Sequence, residues 1–261
     1  MHLDVIGAGP AYTDRAGATG AAYLVRAAGS AVLLDLGQGS LPRLFGRIDP
    51  AEVDAVVISH LHPDHFIDLV PLRHYLRWEE PRRRVRVIAP LGVGERLDAL
   101  HHQPDFAAEA YDIEVLTEGV RRVGAFELES RLVTHTASSF GFRVTVAGSP
   151  GVGSSGVGSA AAGPGLAYSG DCGHAEDLVP LIHPGDTLLC EVSFGPGPII
   201  PGAEHLDGPT VGDLAERTGA SRVLLTHLQM GYDRDETVAS VRARFNGPVE
   251  LVDPGFETTI E

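Results

Sequence analysis

The stretch Ser59-His60-Leu61-His62-Pro63-Asp64-His65 directly follows the apolar run Ala55-Val56-Val57-Ile58. An apolar run of this length, bounded by polar residues, is typical of a buried strand. Residues two apart on an extended backbone point to the same side, so His60 and His62 can reach one metal ion together. The stretch therefore predicts a metal site at the end of a buried strand.

The second half of the same stretch predicts a second metal position. Pro63 turns the chain, and Asp64 and His65 then open a helix on the same edge. Imidazole and carboxylate groups suit Zn²⁺, Fe or Mn²⁺. The alternative is a crowd of polar side chains without partners at a strand end, and the density of the motif disfavours it.

Three later segments repeat this context, in which an apolar strand ends in a residue able to bind a metal. They are Leu132-Val133-Thr134-His135, Leu166-Ala167-Tyr168-Ser169-Gly170-Asp171 and Val223-Leu224-Leu225-Thr226-His227. Functional residues of α/β folds gather where several strands end. The predicted metal ligands are therefore His60, His62, Asp64, His65, His135, Asp171 and His227.

Elsewhere, short strands rich in Val, Ile and Leu alternate with helices. Strands are predicted at 2–6, 21–28, 31–35, 54–59, 85–89, 111–116, 126–134, 141–147, 166–169, 187–193, 222–226 and 248–252. Helices are predicted at 40–47, 64–78, 92–101, 175–182, 209–218 and 235–245. Pro71 suggests a break and restart within the second helix, and Thr210-Val211-Gly212-Asp213 resembles a capping box that opens the fifth.

Composition limits the classes of protein to which this chain can belong. It has 261 residues, 43% of them hydrophobic and 21% charged, which indicates a globular fold. The net charge of −15, with every basic residue an arginine, disfavours general nucleic-acid binding, since phosphate contacts need clustered cations. Three features predict a cytoplasmic protein. The chain has only two cysteines, no unbroken apolar stretch long enough to span a bilayer, and no basic leader.

Two further segments have more than one interpretation. The run Arg82-Arg83-Arg84-Val85-Arg86 is read as a solvated entry into a strand, with an anion-binding patch as the alternative. The Gly- and Ser-rich segment Gly148–Gly165 is expected to be a flexible hairpin connection, because its composition cannot build a core. A functional flap is the alternative there.

Several motifs together carry a resemblance to a known family. They are the His60–His65 motif, Gly7-Ala8-Gly9-Pro10 after the first strand, Tyr168-Ser169-Gly170-Asp171, Leu189-Cys190-Glu191-Val192-Ser193-Phe194, and His205-Leu206-Asp207. In type and order they resemble the metallo-β-lactamase superfamily over nearly the whole chain. Within it, the sequence is most similar to the tRNase Z-like branch, and especially to its bacterial cyclic-nucleotide phosphodiesterases.

This resemblance implies one domain over residues 1–261 with a four-layer αββα sandwich and two divalent metal ions. Zinc is the expected metal, with iron or manganese as alternatives. Asp171 would bridge the two ions, which would share a hydroxide that attacks phosphorus in line. The remaining ligands would divide into one set of His60, His62 and His135 and a second set of Asp64, His65 and His227.

The resemblance also implies catalytic roles for Asp64, Glu191 and His205. A ribose oxygen is a poor leaving group, and His205, supported by the neighbouring Glu191 carboxylate, would donate its proton. Without the resemblance, His205 would be read as an exposed loop residue. Two departures bear on this pair, because Cys190 stands where the family usually has His and Asp207 where it often has Thr.

The predicted function is hydrolysis of a small phosphodiester, most simply a 3′,5′-cyclic nucleotide such as cAMP. The segment between His135 and Asp171 is too short for the long arm of tRNA-processing members, which with the acidic charge disfavours a tRNase Z-like endonuclease. A lactonase, thioesterase or arylsulfatase on the same fold is another alternative, and a non-catalytic metal-binding module a third. Neither nucleic acid nor a membrane is an expected partner, and a homodimer is left open because related proteins often form one.

Overall fold

The computed structural model describes residues 1–148 and 163–261. Within them, two seven-stranded sheets are flanked by helices. The strands are β1 His2–Gly7, β2 Ala22–Ala27, β3 Ser30–Leu34, β4 Ala55–Val57, β5 Val85–Ala89, β6 Tyr111–Val115, β7 Gly119–Val123, β8 Phe126–Val133, β9 Ser139–Val146, β10 Leu166–Tyr168, β11 Thr187–Glu191, β12 Arg222–Thr226, β13 Val249–Leu251 and β14 Glu257–Thr259. The helices are α1 Leu41–Leu44, α2 Pro63–Phe66, α3 Leu69–Trp78, α4 Val93–His101, α5 Gly208–Thr218 and α6 Arg234–Arg242, with 3₁₀ turns at Pro50–Glu52 and Ala175–Leu178.

Both sheets are mixed. The first has the strand order β14-β1-β2-β3-β4-β5-β6, antiparallel as far as β3 and parallel from β3 to β6. The second has the order β13-β12-β11-β10-β9-β8-β7, parallel from β13 to β10 and antiparallel beyond. Parallel strands end at the same edge, so β3, β4, β10, β11 and β12 can deliver polar residues to one side of the sandwich.

Three clusters of buried apolar side chains separate four layers. Strand β2 shows the arrangement, because its side chains alternate between two of these clusters. Tyr23 and Val25 join the cluster between the sheets, whereas Leu24 faces the cluster shared with α1, α3 and α4. A third cluster lies between the second sheet and α5 and α6, with Leu225 and Leu214 among its members. The predicted αββα sandwich is confirmed.

The sequence-based assignment missed two strands. Strand β7 is short, exposed and arginine-bearing, and β14 has three polar or charged residues, so neither shows an apolar pattern. Strand β14 exists because it pairs with β1 at the opposite end of the chain, where Asp4 stands opposite Glu257. Pairing over such a separation leaves no local signal.

Three helix predictions need correction. The segment 64–78 is interrupted at Ile67 and Asp68 and not at Pro71, which lies inside the first turn of α3, where a missing N–H is tolerated. Asp68 instead accepts a hydrogen bond from Leu41 N at 2.8 Å. The predicted helix 175–182 is one 3₁₀ turn. Helix α5 begins at Gly208, so the predicted capping box at Thr210 does not open it.

The Gly148–Gly165 segment connects β9 to β10, and residues 149–162 lie outside the described residues, so both interpretations of it stay predictions. Its C-terminal end is anchored by a buried ion pair. Arg143 on β9 binds Asp186 through Nε at 2.7 Å and Nη2 at 2.9 Å. The same carboxylate accepts a hydrogen bond from Gly165 N at 2.7 Å.

Among the helices of the described chain, none is both long and apolar enough to cross a membrane.

Candidate metal centre

The structure brings all seven predicted ligands to one edge of the sandwich, in two overlapping groups. Asp171 belongs to both, and within each group the potential ligand atoms lie within 4.8 Å of one another. The groups are His60, His62, His135 and Asp171, and Asp64, His65, Asp171 and His227. This division is the one that the resemblance implies.

Asp171 lies between the imidazoles of both groups. Its Oδ2 is 3.8 Å from His60 Nε2, 3.7 Å from His135 Nε2 and 3.5 Å from His227 Nε2. Its Oδ1 is 3.4 Å from His65 Nε2. A carboxylate that faces four imidazole nitrogens in this way can share its two oxygens between two cations.

Three buried atoms test whether these residues fit metal ions. In the described part of the chain, His60 Nε2, His65 Nε2 and Asp171 Oδ1 have no hydrogen-bond partner. A buried polar atom without a partner costs about 1–3 kcal/mol. All three atoms belong to the two ligand groups that share Asp171, and imidazole nitrogen with carboxylate oxygen is the donor set of catalytic zinc sites. The residues therefore fit a pair of divalent cations.

The protonation of His60, His62 and Asp171 suits metal binding. Burial, together with the neighbouring imidazoles, holds the pKa of His60 well below its ordinary value, and burial also lowers the pKa of His62. Both rings are then neutral, as a ligand must be. Burial alone would raise the pKa of Asp171, but the nearby His227 and His65 outweigh it and hold that pKa well below the usual range. His65 differs, because burial alone would lower its pKa but Asp171 and Asp35 outweigh burial and raise that pKa well above the ordinary value, so a bound cation would displace a proton there.

Asp35 is a residue of the site that the sequence analysis missed. It follows β3, is fully buried, and has the left-handed backbone conformation with φ +59°. Its Oδ2 lies 2.8 Å from His65 Nδ1 and accepts hydrogen bonds from the hydroxyls of Ser59 at 2.8 Å and Tyr168 at 2.7 Å. Carboxylates in this position orient a metal-binding histidine. The pattern of an apolar strand ending in an acid, which identified Asp171, also holds for Leu33-Leu34-Asp35.

The loop after β3 also fixes the backbone of the ligand-bearing helix α2. In this loop, Leu36 N donates to His65 O at 2.7 Å, and from the residue before β2, Ala21 N donates to Asp64 O at 3.0 Å. A Cβ at Gly37 would collide with that same Asp64 carbonyl, so only glycine allows the loop to approach so closely. The position of both ligands therefore depends on a loop almost thirty residues earlier in the chain.

His227 is held by contacts from two other elements. It leaves β12 with φ +59°, and its backbone N donates to Ala8 O at 2.9 Å in the turn after β1. Its Nδ1 lies 3.0 Å from Ser193 Oγ, beyond the end of β11. The Gly9 N–H of the same turn donates to Thr19 O, so it joins the turn after β1 to the segment that precedes β2.

Glu191 and His205 form a pair beside the metal ligands. Glu191 is fully buried at the end of β11, and its Oε1 lies 2.9 Å from His205 Nδ1. Its carboxylate also accepts hydrogen bonds from Cys172 N at 2.9 Å and from Ser193 Oγ at 2.6 Å. The His205 ring centroid is 4.6 Å from that of His135. His205 is thus fixed against the site, whereas its role as an acid stays a prediction.

The electrostatics of this pair favour a protonated imidazole. Burial alone would lower the pKa of His205, but the hydrogen bond and the charge of Glu191 outweigh it and raise that pKa to about 9. At neutral pH the ring then carries a proton on each nitrogen, one of which is donated to Glu191.

The two departures from the family pattern leave this pair in place. Cys190 packs with the apolar cluster between the second sheet and α5, on the opposite face of β11 from Glu191. Asp207 is the N-cap of α5, where its Oδ1 accepts a hydrogen bond from Thr210 N at 3.0 Å. A side-chain oxygen at this position stabilises the helix that follows the His205 loop.

Comparisons with known proteins agree with this geometry. The sequence profile of the β-lactamase superfamily domain matches residues 32–228. Uncharacterized protein Rv1339 of Mycobacterium tuberculosis is 33% identical over 245 residues, which cover 90% of this chain and 84% of that protein. Probable metallo-hydrolase YhfI of Bacillus subtilis is 26% identical over 98% of both proteins.

Solved structures give the same result for the fold. The crystal structure of YhfI, a metallo-β-lactamase fold protein, matches with a TM-score of 0.83 at 21% identity over 98% of both chains. The short form of human tRNase Z matches with a TM-score of 0.72 at 20% identity over the full length of both chains. With its two-sheet sandwich and its divalent-metal donor set, the chain belongs to the metallo-β-lactamase superfamily and is a metallo-hydrolase of that fold.

Proposed function

We propose that this metallo-hydrolase is a phosphodiesterase that uses two divalent ions, preferentially zinc, to hydrolyse a 3′,5′-cyclic nucleotide such as cAMP. The observation that carries the proposal is the Glu191–His205 pair, with 2.9 Å between Oε1 and Nδ1, directly beside the ligand cluster. The proposal rests on the roles that the family resemblance implies for these two residues.

A proton donor is what phosphodiester cleavage at a ribose oxygen requires. The departing alkoxide is strongly basic, so its departure is slow unless it is protonated in the transition state. A thiolate or a phenolate leaves without a proton, whereas an aliphatic lactone also expels a basic alkoxide. The Glu191–His205 pair therefore favours phosphoester chemistry over the thioesterase and arylsulfatase alternatives, and a substrate panel separates the lactonase.

Bound metal ions would supply Lewis acidity and a water activated for attack. The chain's own residues would hold and orient the reacting groups. Asp171 and the imidazoles around it fix the spacing of the donor atoms. Asp64 Oδ2 lies 3.2 Å from His227 Nε2, and despite the opposing effect of burial that hydrogen bond lowers the pKa of Asp64, which keeps it a carboxylate.

His205 would move the proton. Its Nδ1–H is donated to Glu191, which leaves the proton on Nε2 for the leaving oxygen. A pKa raised to about 9 keeps that proton in place at neutral pH. Ser193 contacts both partners, because its hydroxyl donates to Glu191 Oε2 at 2.6 Å and lies 3.2 Å from Nδ1 of His205.

A tRNase Z-like endonuclease is the second candidate, and the similarity to human tRNase Z favours it. The net charge of −15 and the short segment between His135 and Asp171 favour a small substrate instead. Both candidates use the same metal centre, so only the substrate distinguishes them.

A substrate panel tests the proposal. The metal-loaded protein is incubated with cAMP, cGMP, a tRNA precursor with a 3′ extension, a lactone and a thioester, and kcat/KM is ranked. We expect a cyclic nucleotide to rank first. A higher kcat/KM for the tRNA precursor would establish the second candidate, and a preference for the lactone or thioester would contradict phosphodiester chemistry.

A further inference from the structure

Three arginine side chains line a cavity behind the turn that carries His227. The cavity has a volume of about 380 Å³, and its charged residues are Arg15, Arg43, Arg234 and Asp253. Residues 8–9, residues 16–18 and Pro254 complete its wall. We refer to this cavity as the three-arginine pocket.

Two of these arginines have no carboxylate partner. Arg15 donates to Leu228 O through Nη2 and to Thr13 Oγ1 at 3.2 Å through Nε, and Arg43 donates to Gly17 O at 2.7 Å. In the described residues, neither guanidinium forms an ion pair, and residues 149–162 contain no acidic residue. Carbonyl and hydroxyl oxygens satisfy individual N–H groups but leave the charges uncompensated.

The ion pair of the third arginine, Arg234, does not neutralise the charges of Arg15 and Arg43. Arg234 is paired with Asp253 at 2.6 Å, and that carboxylate is 63% exposed. The pocket therefore carries three positive charges and one negative charge. Burial lowers the pKa of Arg15, and repulsion from Arg234 lowers it further, while the carboxylates of Asp253 and Asp14 offset part of this effect.

The chain has a net charge of −15, so carboxylates are plentiful. Some exposed arginines are paired, as in Arg84–Asp112 at 2.7 Å, and others, such as Arg82, have no ion pair among the described residues. Arg15 and Arg43 differ from these because they stand with a third arginine around one cavity. An uncompensated cluster of guanidinium groups around a cavity provides the environment that a bound anion needs.

We propose that the three-arginine pocket binds the phosphate group of a small phosphorylated molecule. Guanidinium groups match phosphate oxygens with paired, charge-assisted hydrogen bonds. The cavity is at the small end of the roughly 300–1,000 Å³ typical of small-ligand sites. The strongly acidic remainder of the surface repels long polyanions, so a nucleic-acid backbone is not the expected ligand. This site is separate from the metal centre and does not depend on the proposed function.

Arginine modification with site-specific detection tests the proposal. The metal-loaded protein is treated with phenylglyoxal at increasing concentrations of inorganic phosphate, or of AMP in a second series, and each modified arginine is quantified by peptide mass spectrometry. We expect saturable protection of Arg15, Arg43 and Arg234. Arg82 serves as the internal control, because it is exposed and lies in the basic run outside the pocket.

An Arg43→Ala variant shows whether the protection reflects one shared site. Losing a charge-assisted hydrogen bond should raise the phosphate concentration that half-protects Arg234 by about 10- to 100-fold. The Arg82→Ala variant should leave that concentration unchanged. Protection by phosphate and AMP alike means that the phosphate group is recognised, and protection by AMP alone means that the nucleoside contributes.

Three results would overturn the proposal. Equal protection of Arg82 would mean general screening by salt. Unchanged protection of Arg234 in a folded Arg43→Ala variant would mean that the pocket is not a phosphate site. The absence of protection in the wild-type protein at the highest concentrations of phosphate and AMP would mean the same.

Discussion

The carboxylate of Asp35 lies 2.8 Å from Nδ1 of His65, which leaves the opposite nitrogen of that ring 3.4 Å from Asp171 Oδ1. Both Asp35 and His65 are fully buried. A residue outside the ligand set therefore fixes the ring orientation and tautomer of a predicted ligand.

Asp35→Asn should weaken metal binding while the fold is retained. Asparagine tolerates the left-handed conformation at φ +59°, so the main change is loss of the carboxylate charge that faces His65. Replacing such a partner typically costs about 10- to 100-fold in metal affinity or activity. Chelator competition measures the affinity, and Asp54→Asn is a control at an exposed aspartate. An unchanged affinity would remove Asp35 from the site.

Asp171→Ala should reduce the metal content. We expect two equivalents of Zn, Fe or Mn per wild-type chain, since Asp171 belongs to both ligand groups, and one or fewer in the variant. Elemental analysis after gentle purification measures this, with Asp213→Ala as an exposed control. We also expect Asp171→Ala to lower activity more than any substitution in Gly148–Gly165. Full activity at one equivalent would contradict a two-metal mechanism.

His205→Ala should impair hydrolysis most where the leaving group is worst. A general acid contributes about 10²–10⁴-fold when the departing oxygen must be protonated, so kcat for cAMP should fall by that range. Bis-nitrophenyl phosphate should lose much less, because a nitrophenolate leaves without a proton. Glu191→Gln should give the same pattern more weakly.

The role of His205 and Glu191 is measured by the ratio of kcat for cAMP to kcat for bis-nitrophenyl phosphate. This ratio is compared between the wild type and each variant at equal metal content. An equal loss on both substrates would mean that His205 positions the phosphate and is not the acid. No loss on either would return it to an ordinary loop residue.

Arg143→Met should destabilise the protein strongly. It leaves the carboxylate of Asp186, which is 1% exposed, without its cation. Removing one partner of a buried ion pair costs about 3–5 kcal/mol of the free energy of unfolding. Urea denaturation of the metal-loaded protein measures the loss. Arg131→Met, which breaks the more exposed pair with Glu129, should cost no more than about 1 kcal/mol. Equal losses of unfolding free energy in the two variants would mean that the buried Arg143–Asp186 pair stabilises the fold no more than an exposed pair does.

The sequence by itself was sufficient to predict the metal ligands and most strands, because the signal for these features is local. The His60–His65 motif follows an apolar run, and its ligands are so close in sequence that they stay together at the end of that run. His60 and His62 lie in the loop between β4 and α2 and not on the strand itself, yet both belong to one ligand group. His135, Asp171 and His227 could be identified because each follows an apolar strand. The same reasoning gave most of the strands, since β-strands of a buried sheet read as short apolar runs.

Only the tertiary structure decided the features that depend on residues far apart in the chain. The β1–β14 pairing, the contact of Asp35 with His65, and the approach of Arg15, Arg43 and Arg234 to one cavity each join segments that have no shared pattern. The break before α3 is similar, because Asp68 is used to bind the start of α1. Hydrogen bonds and charges act between neighbours in space, and the sequence records only neighbours along the chain.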